Sequence, residues 1–222
     1  MSLFAGHDLT CVRGERRVFA QLDFALEQGN ALVLRGPNGS GKSSLLRLMA
    51  GLLRPAEGAV TWDGAPIDQD PETHHARLRY VGHLDGVKSA LTVAENLSVW
   101  AGLAGDRPHG GDVGAALDRF GLFHLSDIPA RMLSAGQRRR LALARALVGP
   151  AALWLLDEPT VALDAPSVAA LLRAIAEHRA GGGMVVAATH ADIDLGAFSE
   201  LDLARHAIPW SEDAQRQGDL PA

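Results

Sequence analysis

Cysteine and long apolar runs are scarce in this sequence of 222 residues. The single cysteine, Cys11, excludes a disulfide framework and a cysteine-based metal site, and it favours a reducing, cytosolic setting. No apolar stretch approaches the ~18 residues that a membrane-spanning helix needs. The segment before Gly6 lacks a basic region followed by a long apolar stretch, so we expect no signal peptide. A role at a membrane would therefore require a membrane-embedded partner.

Positive charge is not in excess either. Lysine and arginine together number 21 against 26 aspartates and glutamates, which gives a net charge of −5 and a pI near 6.0. This balance argues against a protein whose main activity is nucleic-acid binding, so we expect no nucleic-acid partner. The hydrophobic content of 47% is enough for a buried core and suits one large domain, or a domain with a lobe.

One glycine-rich stretch fits the phosphate-loop pattern G-x-x-x-x-G-K-[ST], namely Gly36-Pro37-Asn38-Gly39-Ser40-Gly41-Lys42-Ser43. Its glycines allow positive φ and a close approach of backbone N–H groups to a polyphosphate. The pattern predicts that Lys42 reaches the β- and γ-phosphates and that the Ser43 hydroxyl binds Mg²⁺. We assign Gly36 to Ser44 to nucleotide binding.

The neighbours of this loop decide between two interpretations. A glycine-rich turn before a helix, without a ligand, is the simpler alternative. However, Ala31 to Leu34 form an apolar run typical of a buried strand, and Leu45 to Met49 have the spacing of a helix face that ends at Gly51. Strand, loop and helix follow in the order that phosphate binding requires, so we favour that function.

The remaining pattern predicts an α/β fold with a phosphate-loop core, an antiparallel β-subdomain at the N-terminus and an inserted helical subdomain. We expect a single domain over 1–210, with its core in 1–88 and 151–205, a helical lobe in about 89–150, and a frayed tail in 211–222. Thr92 and Glu95 predict a capping box at the start of the first lobe helix. His74 and His75 fall in a polar segment and are expected to be solvated.

Two acids, Asp157 and Glu158, follow an almost purely apolar run that reads as a strand buried on both faces. Solvated acids at an ordinary strand end are the alternative. Together with a phosphate loop upstream, the pair instead predicts an aspartate that holds Mg²⁺ and a glutamate that acts as the general base for an attacking water.

A third motif carries a family resemblance. Leu133-Ser134-Ala135-Gly136-Gln137 resembles the LSGGQ signature of the ATP-binding cassette (ABC) family, with Ala135 in place of a glycine, a change that a negative φ would tolerate. The resemblance implies ATP as the ligand and a homodimer that closes head-to-tail on two ATP molecules. Ser134 and Gly136 of one copy would then contact the phosphate of ATP held by the other copy.

Further positions extend the resemblance over about residues 3–205. Ala162-Leu163-Asp164 resembles the D-loop near the dimer contact, and His190 resembles the switch histidine that contacts the γ-phosphate. The three consecutive arginines 138–140 point to different sides of a helix, so we expect some on the surface and one against the signature loop.

Two positions depart from the family pattern. A glutamine that contacts Mg²⁺ and water belongs near residues 84–85, where this chain has His83-Leu84-Asp85. Leu84 cannot bind a metal, and His83, Asp85 or a water could take the role. The adenine-stacking aromatic belongs near Arg13, whose guanidinium could stack on a base or simply be a solvated turn residue.

Local similarity narrows the subfamily. Tyr80 to Leu97, Leu9 to Cys11 and Trp154 to Pro159 resemble the ATP-binding subunits of haem exporters in cytochrome c maturation. This implies a peripheral ATPase on the cytoplasmic face of a bacterial inner membrane, bound to integral membrane subunits. The alternatives are an ABC ATPase for another cargo such as a drug or lipid, a soluble ABC ATPase of DNA repair or translation, and a non-hydrolysing ATP-binding scaffold.

Overall fold

The computed structural model describes residues 2–103 and 110–208, which contain two β-sheets with helices packed around them. The nine strands are β1 Leu3–Arg13, β2 Arg16–Glu27, β3 Ala31–Arg35, β4 Glu57–Trp62, β5 Ala65–Pro66, β6 Leu78–Val81, β7 Leu153–Asp157, β8 Met184–Ala188 and β9 Ser199–Asp202. The helices that these described ranges contain are α1 Lys42–Met49, α2 Pro71–Ala76, α3 Val93–Leu103, α4 Gly110–Arg119, α5 Ala135–Ala144 and α6 Ala165–Ala180. The tail predicted at 211–222 lies outside the described residues.

The first sheet is antiparallel and has the order β2-β1-β4-β5. Its two long strands, β1 and β2, form the region that the sequence predicts to be an antiparallel β-subdomain. Register shifts interrupt the β1–β2 pairing, and Asp8 and Gln21 have positive φ, so the alternation of buried and exposed residues breaks within each strand. The predicted antiparallel region is therefore present, and bulges interrupt its two long strands.

The second sheet is parallel and has the order β6-β7-β8-β3-β9. All five residues of β7 are buried, with Leu153 and Leu155 in one hydrophobic cluster and Trp154 and Leu156 in the other. The strand is thus buried on both faces, as its apolar run predicted. Because the carboxyl ends of β3, β6, β7 and β8 meet at one edge, the segments that follow these strands are brought together there.

Between β6 and β7 the described chain contains only helical elements, namely α3, α4, α5 and three short 3₁₀ segments. The predicted capping box is present at α3: the Glu95 N–H donates to Thr92 Oγ1 at 3.1 Å, and the Thr92 N–H donates to Glu95 Oε2 at 2.8 Å. The limits at 89 and 150 stay a prediction. No helix within 2–103 or 110–208 combines the length and apolar character that crossing a bilayer requires.

The expectation that His74 is solvated was wrong. The residue lies in α2 and is 2% exposed. Trp62 Nε1 donates to His74 Nδ1 at 2.9 Å, so the other ring nitrogen, Nε2, carries the proton and donates to the Met49 carbonyl at 3.0 Å. Burial is the main cause that lowers the His74 pKa from 6.5 to about 4, with a smaller contribution from His75. Its neighbour His75 is exposed, as expected.

We expect this buried imidazole to make the protein less stable in mild acid. The pKa of His74 is lower in the folded protein than in the unfolded chain. The stability that depends on a neutral His74 is therefore fully present above pH 6.5 and is lost as the pH falls towards 4. Between pH 7 and pH 5 the loss should be about 2 kcal/mol. Urea unfolding at both pH values would measure it. A His74→Gln variant should lack this part of the pH dependence, whereas His75→Gln should retain it. If the free energy of unfolding changed equally with pH in the parent and both variants, His74 would not be its cause.

Candidate functional site

The loop from Gly36 to Ser43 connects β3 to α1 at the carboxyl edge of the parallel sheet. Gly36, Gly39 and Gly41 have φ values of 137°, 81° and 103°. A Cβ at Gly41 would lie 2.7 Å from Phe19 Cδ1 and 2.8 Å from Val18 Cγ1, so a side chain there would collide with β2. The loop conformation therefore depends on glycine.

Lys42 is the first residue of α1 and is only 8% exposed. Its ammonium donates to the carbonyls of Gly36, at 2.7 Å, and Pro37, at 3.2 Å, so the side chain folds back along its own loop. Ser40 Oγ is buried without a hydrogen-bond partner in the same loop. A buried cation beside positive-φ backbone and the start of a helix is a suitable environment for an anion.

Asp157 ends β7 and is 2% exposed. Its Oδ1 accepts a hydrogen bond from Ser43 Oγ at 3.1 Å, which joins the two residues predicted to hold Mg²⁺ across 114 positions of the sequence. Its Oδ2 is buried and has no partner. An unpaired buried carboxylate oxygen is costly unless a ligand completes it, so the pair fits a hard cation such as Mg²⁺.

Glu158 follows directly and has a φ of 46°, which is rare for a residue other than glycine and costs about 1 to 3 kcal/mol. Its Oε1 lies 3.1 Å from His190 Nδ1, and its Oε2 is buried without a partner. His190 itself has 67% of its side chain exposed. The pair thus has one carboxylate oxygen held by histidine and one that is available to accept a proton.

These groups face a common cleft of about 320 Å³. It is lined by Val18, Asn38, Gly39, Gly41, Lys42, Ser43, Ser44, His83, Asp157 and Glu158. The cleft combines a cationic loop, which suits phosphate, with acceptor oxygens that suit a metal ion or a water. Val18 was not predicted here, because nothing in its apolar strand pattern distinguishes it from a core residue.

The side chains of residues 83–85 lie in three different environments. His83 lines the cleft, Leu84 is 84% exposed, and Asp85 lies 3.3 Å from Arg139 Nη1. Of the two side chains that could replace the family's glutamine, the structure places His83 in the cleft and pairs Asp85 with an arginine. Arg13 is exposed at the end of β1 and is not among the cleft residues, so its contact with adenine stays a prediction.

Ser134 and Gly136 are not among the residues that line this cleft. Ser134 caps α5, its Oγ accepting from the Gln137 N–H at 3.2 Å while Gln137 Oε1 accepts from the Ser134 N–H at 2.8 Å. Ala135 begins the helix with a negative φ, the condition under which its replacement of glycine is tolerated. The capped helix end has Ser134 and Ala135 exposed.

The structure also shows the predicted D-loop segment and the arginine beside the signature loop. In the Ala162–Asp164 segment, Ala162 has a φ of 63°, and Asp164 caps α6 by accepting from the Ser167 N–H at 3.0 Å. Hydrogen bonding from the Ser167 side chain, followed by its backbone N–H, lowers the pKa of Asp164. Arg138 Nη1 donates to the Leu133 carbonyl at 2.7 Å, so one arginine of the triplet does support the signature loop.

Residues 19–161, which include the phosphate loop, the capped α5 and the Asp157-Glu158 pair, match the ABC transporter family. The chain belongs to this family. A solved structure titled as the ATP-binding subunit of an ABC transporter superposes on this ABC protein with a TM-score of 0.78 and 27% identity, covering 85% of this chain and 79% of that one. An ABC transporter ATP-binding protein from Pyrococcus furiosus gives a TM-score of 0.81 and 25% identity, covering 93% and 100%. The predicted family and fold class are confirmed.

Named relatives of this ABC protein are more similar still. The cytochrome c biogenesis ATP-binding export protein CcmA of Paramagnetospirillum magneticum is 57% identical over 211 residues, covering 93% of this chain and 96% of that protein. The CcmA protein of Rhodospirillum rubrum is 56% identical over 207 residues, covering 93% and 88%. The subfamily resemblance predicted from short segments therefore extends over most of the chain.

Proposed function

We propose that this chain is the ATP-binding and ATP-hydrolysing subunit of a bacterial inner-membrane ABC complex, the haem exporter of cytochrome c maturation. The observation that carries the hydrolytic function is the convergence of Lys42, Ser43, Asp157 and Glu158 on one cleft. The choice among ABC complexes rests on relatives at 56–57% identity that are named as cytochrome c biogenesis export proteins.

ATP binds with its phosphates along the loop Gly36–Ser44. The backbone N–H groups and the Lys42 ammonium balance the phosphate charge. Ser43 and Asp157 are the residues that would hold Mg²⁺, which would neutralise phosphate charge. The Ser43 hydroxyl donates to Asp157 Oδ1, and the unpartnered Asp157 Oδ2 would accept a hydrogen bond from a water bound to the ion.

Hydrolysis requires a group that takes a proton from the attacking water. Glu158 Oε2 is buried and unpartnered at the cleft, so it provides that acceptor. His190 Nδ1 lies 3.1 Å from the other oxygen, and we expect His190 to contact the γ-phosphate. The unpartnered base also argues against the alternative of a non-hydrolysing scaffold.

We expect a second copy of the chain to complete this cleft. Ser134 and Gly136 lie outside it, and Ser134, at the helix start, is exposed. A second copy that docks head-to-tail supplies this helix start to the phosphate of each ATP. The active form is therefore a homodimer with two ATP molecules at its interface.

Membrane attachment is through integral subunits of the complex, on the cytoplasmic face of the inner membrane. We expect a tagged copy, purified from detergent-solubilised membranes, to retain the membrane subunits of haem export. Mass spectrometry of the retained proteins would identify them, and an untagged strain is the control. Recovery of a drug or lipid permease would support the other cargo class. Absence from membranes together with ATPase stimulation by DNA or ribosomes would support the soluble alternative.

A further inference from the structure

A buried arginine lies directly behind the reactive pair. Arg139 is on α5 and is 5% exposed, although arginine is almost never fully buried without partners. It is the middle residue of the arginine triplet. Its neighbours bind carbonyls elsewhere: Arg138 binds Leu133, and Arg140 Nη1 donates to Phe120 at 3.0 Å. Arg139 alone of the three contacts the Asp157-Glu158 segment.

The guanidinium of Arg139 joins two segments of the site. Nη2 donates to the carbonyls of Asp157, at 2.6 Å, and Glu158, at 2.8 Å. Nη1 donates to the Gly82 carbonyl at 2.9 Å and to Asp85 Oδ1 at 3.3 Å. The planar guanidinium has several N–H donors in fixed directions, so it can bind all these acceptors at once. The single ammonium of a lysine cannot make the same set of hydrogen bonds.

The hydrogen bonds from Arg139 hold the backbone of Glu158 in a strained conformation. Glu158 has a φ of 46°, and such strain persists only where the surroundings determine the backbone. The Glu158 N–H donates to the Ala188 carbonyl at 2.8 Å, and the Glu158 carbonyl accepts from Arg139. Both peptide groups of this residue are therefore fixed, and the direction of its carboxylate into the cleft follows from them.

We propose that Arg139 is a positioning residue for ATP hydrolysis, which holds the backbone of Glu158 in the left-handed conformation that aims its carboxylate at the attacking water. The proposal rests on the function proposed above for Glu158. Arg139 is not among the residues that line the cleft, and it acts through the base. Its Asp85 contact also anchors the segment that carries His83 into the cleft.

The test is the steady-state ATPase of Arg139→Gln in the complex purified with its membrane subunits. We expect kcat to fall about 10- to 100-fold with KM for ATP within about twofold, because phosphate contacts are untouched while the base is misplaced. Arg140→Gln, on the same helix, is the matched control and should keep kcat within about twofold. A kcat for Arg139→Gln within twofold of the parental value, or equal losses in both variants, would overturn the proposal.

Two further variants separate positioning from general support of the fold. Arg139→Lys keeps the charge beside Asp85, so it should fold even where Arg139→Gln does not, and it should still lose kcat because it cannot bind both carbonyls. The double variant Arg139→Gln/Glu158→Gln should show the single-turnover rate of Glu158→Gln alone. A further drop by the factor seen for Arg139→Gln alone would show that Arg139 acts independently of the base. If Glu158→Gln itself kept the parental rate, the proposed function would fail instead.

Discussion

Replacing Glu158 by glutamine should abolish ATP turnover while leaving ATP binding intact. Glutamine has the shape of glutamate and can still contact His190, which lies 3.1 Å from Oε1 in the parent. It cannot take a proton from water, and loss of a general base costs about 10²- to 10⁴-fold in rate. We expect kcat to drop by at least about 100-fold and the ATP-bound dimer to accumulate. Phosphate release and size-exclusion chromatography with light scattering would measure the two effects.

The control for this change is Glu72→Gln, which alters an exposed glutamate in the first turn of α2. It removes the same charge from a residue that does not line the cleft, and it should leave both kcat and the monomer–dimer distribution unchanged. Hydrolysis by Glu158→Gln at the parental rate would exclude Glu158 as the base. A loss of turnover without an ATP-bound dimer would instead count against the head-to-tail assembly.

Replacing Lys42 by alanine should weaken ATP binding by about 10- to 100-fold, because a charge-assisted contact with phosphate contributes about 1.5 to 3 kcal/mol. Lys42 is 8% exposed, and its ammonium is held at the loop by the carbonyls of Gly36 and Pro37, so it is already placed before nucleotide arrives. Isothermal titration calorimetry with ATP and Mg²⁺ would give the dissociation constant.

Lys88 is the other lysine of the sequence and provides the matched control. It is exposed, and its backbone, rather than its side chain, makes the hydrogen bonds to Asn96. Lys88→Ala should therefore bind ATP with the parental affinity. An unchanged dissociation constant for Lys42→Ala would refute the role of the loop in phosphate binding. The same loss in both variants would point to nonspecific electrostatic attraction.

The parts of the fold that sequence predicts well are those governed by local chemistry. The phosphate loop, the capping box at Thr92 and the doubly buried β7 each depend on residues that are adjacent or a few positions apart. Strand β9 escaped prediction because it is a short polar edge strand, Ser-Glu-Leu-Asp, without an apolar pattern. The full length of β1 and β2 was not predicted, because their register shifts break the two-residue period.

Individual residues divide in the same way. Motif spacing predicted a site with Lys42, Asp157 and Glu158, which the structure places at one cleft. The burial of His74 against Trp62 and of Arg139 against Glu158 instead depends on pairing between separate segments. Their sequence neighbourhood is polar and charged, which favours the surface. Only the packing of separate segments shows that one member of a histidine pair and one of an arginine triplet are internal.

Helix α5 has a different role at each end of its first two turns. In the proposed dimer, its N-terminus at Ser134 contacts the ATP of the other copy, whereas Arg139 holds Glu158 of its own cleft. Five residues separate these points, about 7.5 Å along a helix axis. A displacement of α5 when nucleotide binds at one site would therefore also move the Glu158 that acts at the other site. Within the proposed dimer, the two ATP sites would therefore be coupled through α5.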